Sequence, residues 1–462
     1  MNTNDHNDHA DSQRDRRDFL KLGALASVSA AVGGIAATGC AAGRRRLGPV
    51  PREPFFTTPP IERVRVGFVG AGGMGTNHVR NLANIDGAQI TAVCDVRPEH
   101  AERAAKIIED AGQKRPTLYT RGERDFERLC ETEDLDLVFT ATPWRWHVPV
   151  CVCAMHNGKH AATEVPASYT VDGCWELVET AEKLRKHCVM MENCCYDRRE
   201  MMTLMMVRRG LLGEVLHGEC GYLHDLRGVK FSKDGEGLWR REHARHRNGN
   251  LYPTHGLGPV AQCMDINRGD RLDYLVSMSG PSRGLQLWQK EHLPEGDPRR
   301  GEKYVLGDIN LTLVKTKFGH TIYLVHETNL PRPYSRINIV QGTRGLVTGY
   351  PDRVHIDGRG KGHGWQELDE YADEFEHPLW RWVKDRAAKG GHGGMDYLED
   401  YRLIKCLREG LPLDMDVYDA ATWSVICELT ERSVAGRSRP VDIPDFTRGK
   451  WKVRAPLGIV EA

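Results

Sequence analysis

Residues 64–75 read Val-Arg-Val-Gly-Phe-Val-Gly-Ala-Gly-Gly-Met-Gly, a short apolar strand running straight into Gly70-x-Gly72-x-x-Gly75. A strand that breaks into glycines at this spacing and then opens a helix is a dinucleotide-binding turn. Gly70 lets the chain turn tightly, Gly72 lets backbone approach a pyrophosphate, and Gly75 lets the helix pack on the strand. The phosphates then face the free N–H groups and positive dipole end of a helix. A second apolar strand, Ile90-Thr91-Ala92-Val93-Cys94, ends in Asp95, about where a carboxylate meets the adenosine ribose 2′-hydroxyl. Together they predict a nicotinamide cofactor. Asp95 favours NAD, because a carboxylate repels a 2′-phosphate, while Arg97 close by pulls the other way.

Outward from this turn, apolar strands alternate with helical stretches as far as residue 193, the pattern of a parallel sheet with crossover helices. The further strands are Leu137–Thr142, His160–Glu164 and Cys188–Asn193, with helices at Pro149–Asn157 and Val171–His187, the second capped by Thr170. Ligands of open α/β sheets lie beyond the carboxyl ends of strands, so Trp144-Arg145-Trp146-His147, Glu164-Val165 and Asn193 all point to the cofactor crevice. Past residue 200 the pattern becomes hairpins: a strand at 213–222, a pair Asp308–Lys315 and Thr321–Glu327, and another pair Ile337–Gln341 and Gly345–Gly349. The expected class is α/β, an N-terminal Rossmann dinucleotide-binding domain (63–195) followed by an α+β domain on a largely antiparallel sheet (196–462). C-terminal helices have room to pack back on the first domain.

Before the fold, Arg16-Arg17-Asp18-Phe19-Leu20-Lys21 precedes a small, apolar stretch to Ala37, which reads as a twin-arginine export signal over 1–39. The span is rich in Ala and Gly, too weakly apolar for a permanent membrane helix. It ends Ala37-Thr38-Gly39-Cys40, a lipobox-like site with Ala37 where Leu is usual, so Cys40 is the expected lipid anchor and 40–62 a tether. The expected location is the periplasm or cell envelope. With a net charge of zero and dispersed basic residues nothing points to nucleic acid, and no such partner is expected. Thirteen cysteines without a C-x-x-C pair give a zinc site nothing to stand on, and Cys94, Cys151, Cys153 and Cys188 lie in apolar segments, as buried thiols do. No metal is expected.

The second domain holds Trp239-Arg240-Arg241 and then Asn250-Leu251-Tyr252-Pro253-Thr254-His255-Gly256-Leu257-Gly258-Pro259. Imidazole suits proton transfer near neutral pH, and the Tyr252 phenol is close enough to share it. Glycines and prolines on both sides place His255 at a helix start. Tyr222 with His224-Asp225, Pro331–Arg336 including Tyr334, and Gly391–Asp396 are further polar clusters.

On these stretches, with Ala162–Ala167 and Met191–Asp197, nearly all of the mature chain resembles the family 109 glycoside hydrolases, NAD-dependent α-N-acetylgalactosaminidases within the Gfo/Idh/MocA oxidoreductase-like superfamily. The resemblance implies NAD contacts from Met74, Gly75, Asp95, Trp144 to His147, Glu164, Val165 and Asn193. It implies substrate contacts from Tyr222, Arg240, Tyr252 and Tyr334. Most of the superfamily carries Glu-Lys-Pro after the fifth strand, with the lysine moving protons; here Val165 replaces it. Relatives often place an Asp four residues before the histidine; here Leu251 stands there. Proton handling thus falls to His255, Tyr252 and Tyr334, with the C2 base open among them. The implied reaction oxidises C3, removes the C2 proton, eliminates the aglycone, adds water and re-reduces C3. The alternative is a sugar oxidoreductase of the same fold with net turnover of its cofactor. A glycan or glycoside is the expected partner, and a homo-oligomer is left open.

Overall fold

The computed structural model describes residues 56–461 apart from 361 and 388–390. The export signal and Cys40 lie outside the described residues, as does most of the tether.

The first sheet comprises β1 (Val64–Val69), β2 (Ala88–Cys94), β3 (Thr117–Tyr119), β4 (Leu137–Thr140), β5 (His160–Thr163) and β6 (Cys188–Met190). Its order is β3-β2-β1-β4-β5-β6 and every pairing is parallel. Near-continuous burial of β1, β4, β5 and β6 reflects helices on both faces. The switch in strand order at β1/β4 leaves a crevice over the carboxyl ends, where such sheets bind ligands. The Thr170 hydroxyl accepts the Gly173 N–H and caps Val171–Leu184. The preceding helix begins at His147 rather than Pro149, because a 3₁₀ turn over Trp144–Trp146 feeds directly into it.

The second sheet is built from β7 (Val215–Leu223), β8 (Leu272–Ser279), β9 (Ile309–Thr316), β10 (Thr321–Glu327), β11 (Ile339–Gly342), β12 (Gly345–Thr348), β13 (Arg353–Ile356), β14 (Gln366–Glu367) and β15 (Val441–Asp442). Its order is β14-β13-β12-β11-β7-β10-β9-β8-β15. The two expected hairpins, β9–β10 and β11–β12, are present. Between them sits β7, antiparallel to β11 but parallel to β10, a pairing about a hundred residues apart that no local turn signals. One face is covered by helices, including Thr254–Cys263 on β7. On the other face β9 inverts the usual pattern. Asn310 and Thr312 are fully buried, whereas Leu311 and Leu313 are 41% and 54% exposed beside Met278 at 61%.

The C-terminal helix Met395–Glu409 packs back on Gly73–Ala83, the helix that opens after the glycine turn. The described cysteines are all free thiols, buried except for the half-buried Cys153.

Candidate active site

A cavity of about 830 Å³ opens over the carboxyl ends of the first sheet and is closed on its far side by the second domain. Gly70 takes φ +88°, and a Cβ on Gly75 would stand 1.9 Å from the Gly70 carbonyl oxygen, so the helix can seat on the strand only without a side chain there. Gly72 and Gly73 behave oppositely: an added Cβ meets nothing within 4 Å, because both face the cavity. Asp95 Oδ2 accepts the Ala71 N–H at 2.8 Å and Oδ1 accepts the Arg97 N–H at 2.9 Å. The carboxylate therefore ties the glycine turn to the end of β2 while bordering the cavity. Arg97 has its guanidinium 3.7 Å from Asp234 of the second domain, which draws its charge away from a ribose phosphate. Open backbone, a helix N-terminus and a ribose-side carboxylate together fit a dinucleotide.

Met74, Trp144, Arg145, Trp146, His147, Glu164, Val165 and Asn193 also border this cavity. Trp144 is buried against Trp239, His243 and Tyr252. Arg145 points to the rim and pairs with Glu123, while Trp146 packs edge-on to Phe126. His147 is buried with a ring nitrogen 2.8 Å from each of the Thr142 and Pro166 carbonyl oxygens, and burial lowers its pKa. Through these two contacts it braces the β4 and β5 ends.

Glu164 and Asn193 are held from behind. Glu164 Oε1 accepts from His78 Nε2 at 2.8 Å and Oε2 accepts the Val165 N–H at 3.0 Å. The other His78 nitrogen lies 2.8 Å from Asp400. Burial opposes charge on His78, yet Asp400 and Glu164 outweigh it and hold its pKa well above the ordinary value. Asp396, one turn earlier on the same helix, accepts from Asn193 Nδ2 at 2.7 Å and from His392 Nδ1 at 2.8 Å.

On the far wall, the Arg240 guanidinium sits 4.8 Å from the Tyr252 ring centroid and 5.2 Å from that of Trp144, with Glu236 accepting its Nε–H at 2.6 Å. The Tyr252 and His255 rings are 4.8 Å apart, edge to face. His255 is the second residue of Thr254–Cys263, and its Nδ1 lies 2.7 Å from Glu192 Oε1. A Cβ on the next residue, Gly256, would meet the Gly221 backbone nitrogen at 2.4 Å, so this glycine lets the helix start rest on β7. Tyr222 gathers Tyr334 to the same corner, its ring centroid being 4.6 Å from that of Tyr252, 5.4 Å from His255 and 6.1 Å from Tyr334. Burial pushes all three phenols, Tyr222, Tyr252 and Tyr334, above their ordinary pKa, so they are proton donors at neutral pH.

Against the expectation of no metal, Glu192, Cys194 and His255 bring three donor atoms within 4.8 Å of one another. The 2.7 Å Glu192–His255 separation is that of a hydrogen bond. Two ligands of one tetrahedral zinc stand roughly 3.3 Å apart, given the usual Zn–N and Zn–O lengths. The cluster as arranged is a dyad.

Residues 196–453 match the family model described as glycosyl hydrolase 109, C-terminal domain, and residues 64–192 match that of the oxidoreductase family, NAD-binding Rossmann fold. The chain belongs to glycosyl hydrolase family 109. A family 109 protein of Solibacter usitatus is 47% identical over 445 residues, covering 96% of this chain and 99% of that one. Another, of Shewanella amazonensis, is 46% identical and covers 97% and 99%. Among solved structures, levoglucosan dehydrogenase in complex with NADH and L-sorbose superposes with a TM-score of 0.64 at 18% identity, covering 83% of this chain and 100% of that one, a likeness of fold.

This family 109 chain is thus a glycoside hydrolase that uses NAD. Sequence reading missed Glu192 as a partner of His255, although a carboxylate at the carboxyl end of β6 was itself a signal. His78 and Asp400 gave no local sign, being 322 residues apart.

Proposed function

We propose that the protein removes a terminal α-linked N-acetylgalactosamine, or a related hexose, by oxidation and elimination instead of carboxylate displacement. Bound NAD supplies the hydride acceptor for C3 of the sugar and the donor that later restores it. A ketone at C3 acidifies the C2 hydrogen, a base removes it, the C1 oxygen departs, and water adds to the unsaturated sugar. The observation that carries this reading is that Gly72, Asp95 and His255 open on one cavity whose β5 end offers Val165, which moves no protons. Most glycosidases use two carboxylates, with NAD-dependent families among the exceptions. Here two of the cavity carboxylates are already engaged, Glu164 by His78 and Glu236 by Arg240.

In this reading His255 takes the C2 proton, because the neighbouring phenols hold theirs. Tyr252 donates to the sugar, Arg240 and Tyr252 orient it, and Tyr222 and Tyr334 support them from behind. The test is aglycone release from a panel of α- and β-linked aryl glycosides, with and without added NAD. Release from the α-N-acetylgalactosaminide is expected. Free NADH accumulating with sugar, and no aglycone, would instead mark an oxidoreductase with net turnover.

The twin-arginine stretch and Cys40 support export to the periplasm or envelope with a lipid anchor. A Cys40→Ala protein that still partitions into detergent like its parent would remove the anchor. The apolar outer face of β8 and β9 supports self-association.

A further inference from the structure

We propose that Glu192 is the positioning residue of the site: it fixes His255 in the tautomer that turns an unprotonated Nε2 to the cavity. The inference deepens the acid–base reading of His255 and rests on it for its catalytic consequence.

Glu192 lies just past the end of β6 and is fully buried. Its Oε1 is 2.7 Å from His255 Nδ1 and accepts the Cys194 N–H at 3.2 Å. Burial pushes a carboxyl up, but the attraction of the His255 ring and the hydrogen bonds at Oε1 hold Glu192 below its ordinary pKa, and an Oε1 that already accepts the Cys194 N–H is an acceptor toward Nδ1 as well. An ionised carboxylate only accepts, so the shared proton must sit on Nδ1. Nε2 then keeps its lone pair, and no described residue hydrogen-bonds it, while His255 borders the cavity. Glu192 Oε2 and the Thr254 hydroxyl are both buried without a partner of good geometry, and they are neighbours. A small rotation of that hydroxyl adds a second tie from the residue preceding His255.

The packing keeps this arrangement in place. A Cβ on Gly258, one turn along the histidine helix, would meet Glu192 Cγ at 3.1 Å. The glycine therefore lets the helix close down on the carboxylate. Glu192 thus reaches His255 from the first domain's strand end, and its negative charge stabilises the imidazolium that forms when Nε2 takes a proton. With that carboxylate supplied from the first domain, none is needed in the segment before the histidine helix, where Leu251 stands.

The experiment compares Glu192→Gln and Glu192→Asp with the parent, using the NAD-loaded protein. The Gln amide is neutral and able to donate to Nδ1, so it frees the other tautomer. Nitrogen-15 spectra of histidine-labelled protein should show His255 as Nδ1–H in the parent and in Glu192→Asp, and as Nε2–H or a mixture in Glu192→Gln. Aglycone release should fall about 10²- to 10⁴-fold in kcat for Glu192→Gln, the range seen when a carboxylate that orients a catalytic histidine is neutralised. KM should change less than threefold or so, and Glu192→Asp should recover part of the loss. In a His255→Ala background, Glu192→Gln should change the residual rate no more than about twofold, because its effect passes through that ring. An unchanged tautomer pattern, or an undiminished rate in Glu192→Gln, would overturn the proposal. So would additive losses in the double variant. If Glu192→Gln does not fold, a Glu192→Asp protein showing the Nε2–H pattern would refute it alone. The spectra need no turnover, so an inactive parent would count against the glycosidase reading and leave the tautomer result standing.

Discussion

Replacing Gly256 by alanine places one methyl group between the histidine helix and β7. The new Cβ would stand 2.4 Å from the Gly221 nitrogen and 2.8 Å from its carbonyl oxygen. Both are backbone atoms, and β7 is pinned between β10 and β11, so the helix start must retreat. Ordinary contact begins near 3.4 Å, which sets that retreat at about 1 Å in a close-packed interior. His255 is the adjoining residue, and a shift of that size carries its 2.7 Å bond to Glu192 beyond hydrogen-bond range. Overpacking should cost about 1–3 kcal/mol of stability. The misplaced ring should cost about 10²-fold in aglycone release, the usual price of a 1 Å error in a reacting group. Nucleotide content should be unchanged, since the glycine turn is remote. Gly72→Ala gives the complement: its methyl meets no protein atom within 4 Å, so the fold should stand while NAD retention falls. Thermal unfolding, bound-nucleotide assay and aryl-glycoside cleavage read the three effects. A Gly256→Ala protein with parental midpoint and rate would refute the claim that this contact places His255.

Asp400→Asn removes one of two carboxylates flanking buried His78 and should destabilise the protein by about 3–5 kcal/mol near neutral pH. Because the folded pKa of His78 is raised, its contribution is complete below the unfolded value of about 6.5 and is lost as pH rises through the folded value. Chemical denaturation across alkaline pH should therefore show a decline that Asp400→Asn flattens; an unaltered pH profile would count against the ion pair. Protein purified without added nucleotide should release NAD on denaturation, since a cycle that returns its hydride has no need to exchange the cofactor. Empty protein with no thermal shift on adding NAD would contradict this. If the proposed self-association uses the apolar outer face of β9, Leu313→Lys should lower the sedimenting mass at unchanged activity, and a parent that already sediments as a monomer would remove that interface.

The first domain was legible because its signals are local: a glycine spacing, an acidic strand end and alternating periodicities each sit within a few residues. The hairpins β9–β10 and β11–β12 were legible for the same reason. What sequence could not supply was what meets across long separations. The parallel partnership of β7 with β10 needs a crossover with no turn signature. The backing of Glu164 by Asp400 through His78, and of Asn193 by Asp396, joins segments hundreds of residues apart. Loop chemistry singled out His255, but the carboxylate 2.7 Å from its ring comes from the other domain. Tyr222 and Tyr334 came from separate strand-end clusters, and their gathering beside Tyr252 and His255 is a long-range contact that no local pattern signals.

Elimination requires that the C2 hydrogen of the sugar be removed and replaced on the way to hydrolysis. Cleavage of an aryl α-N-acetylgalactosaminide in deuterated water, followed by mass and proton spectra of the released sugar, tests this directly. Deuterium is expected at C2 of the product, with cleavage slowed when the substrate already carries deuterium there. Hydrolysis that leaves C2 free of solvent deuterium would contradict elimination and return the site to a direct displacement.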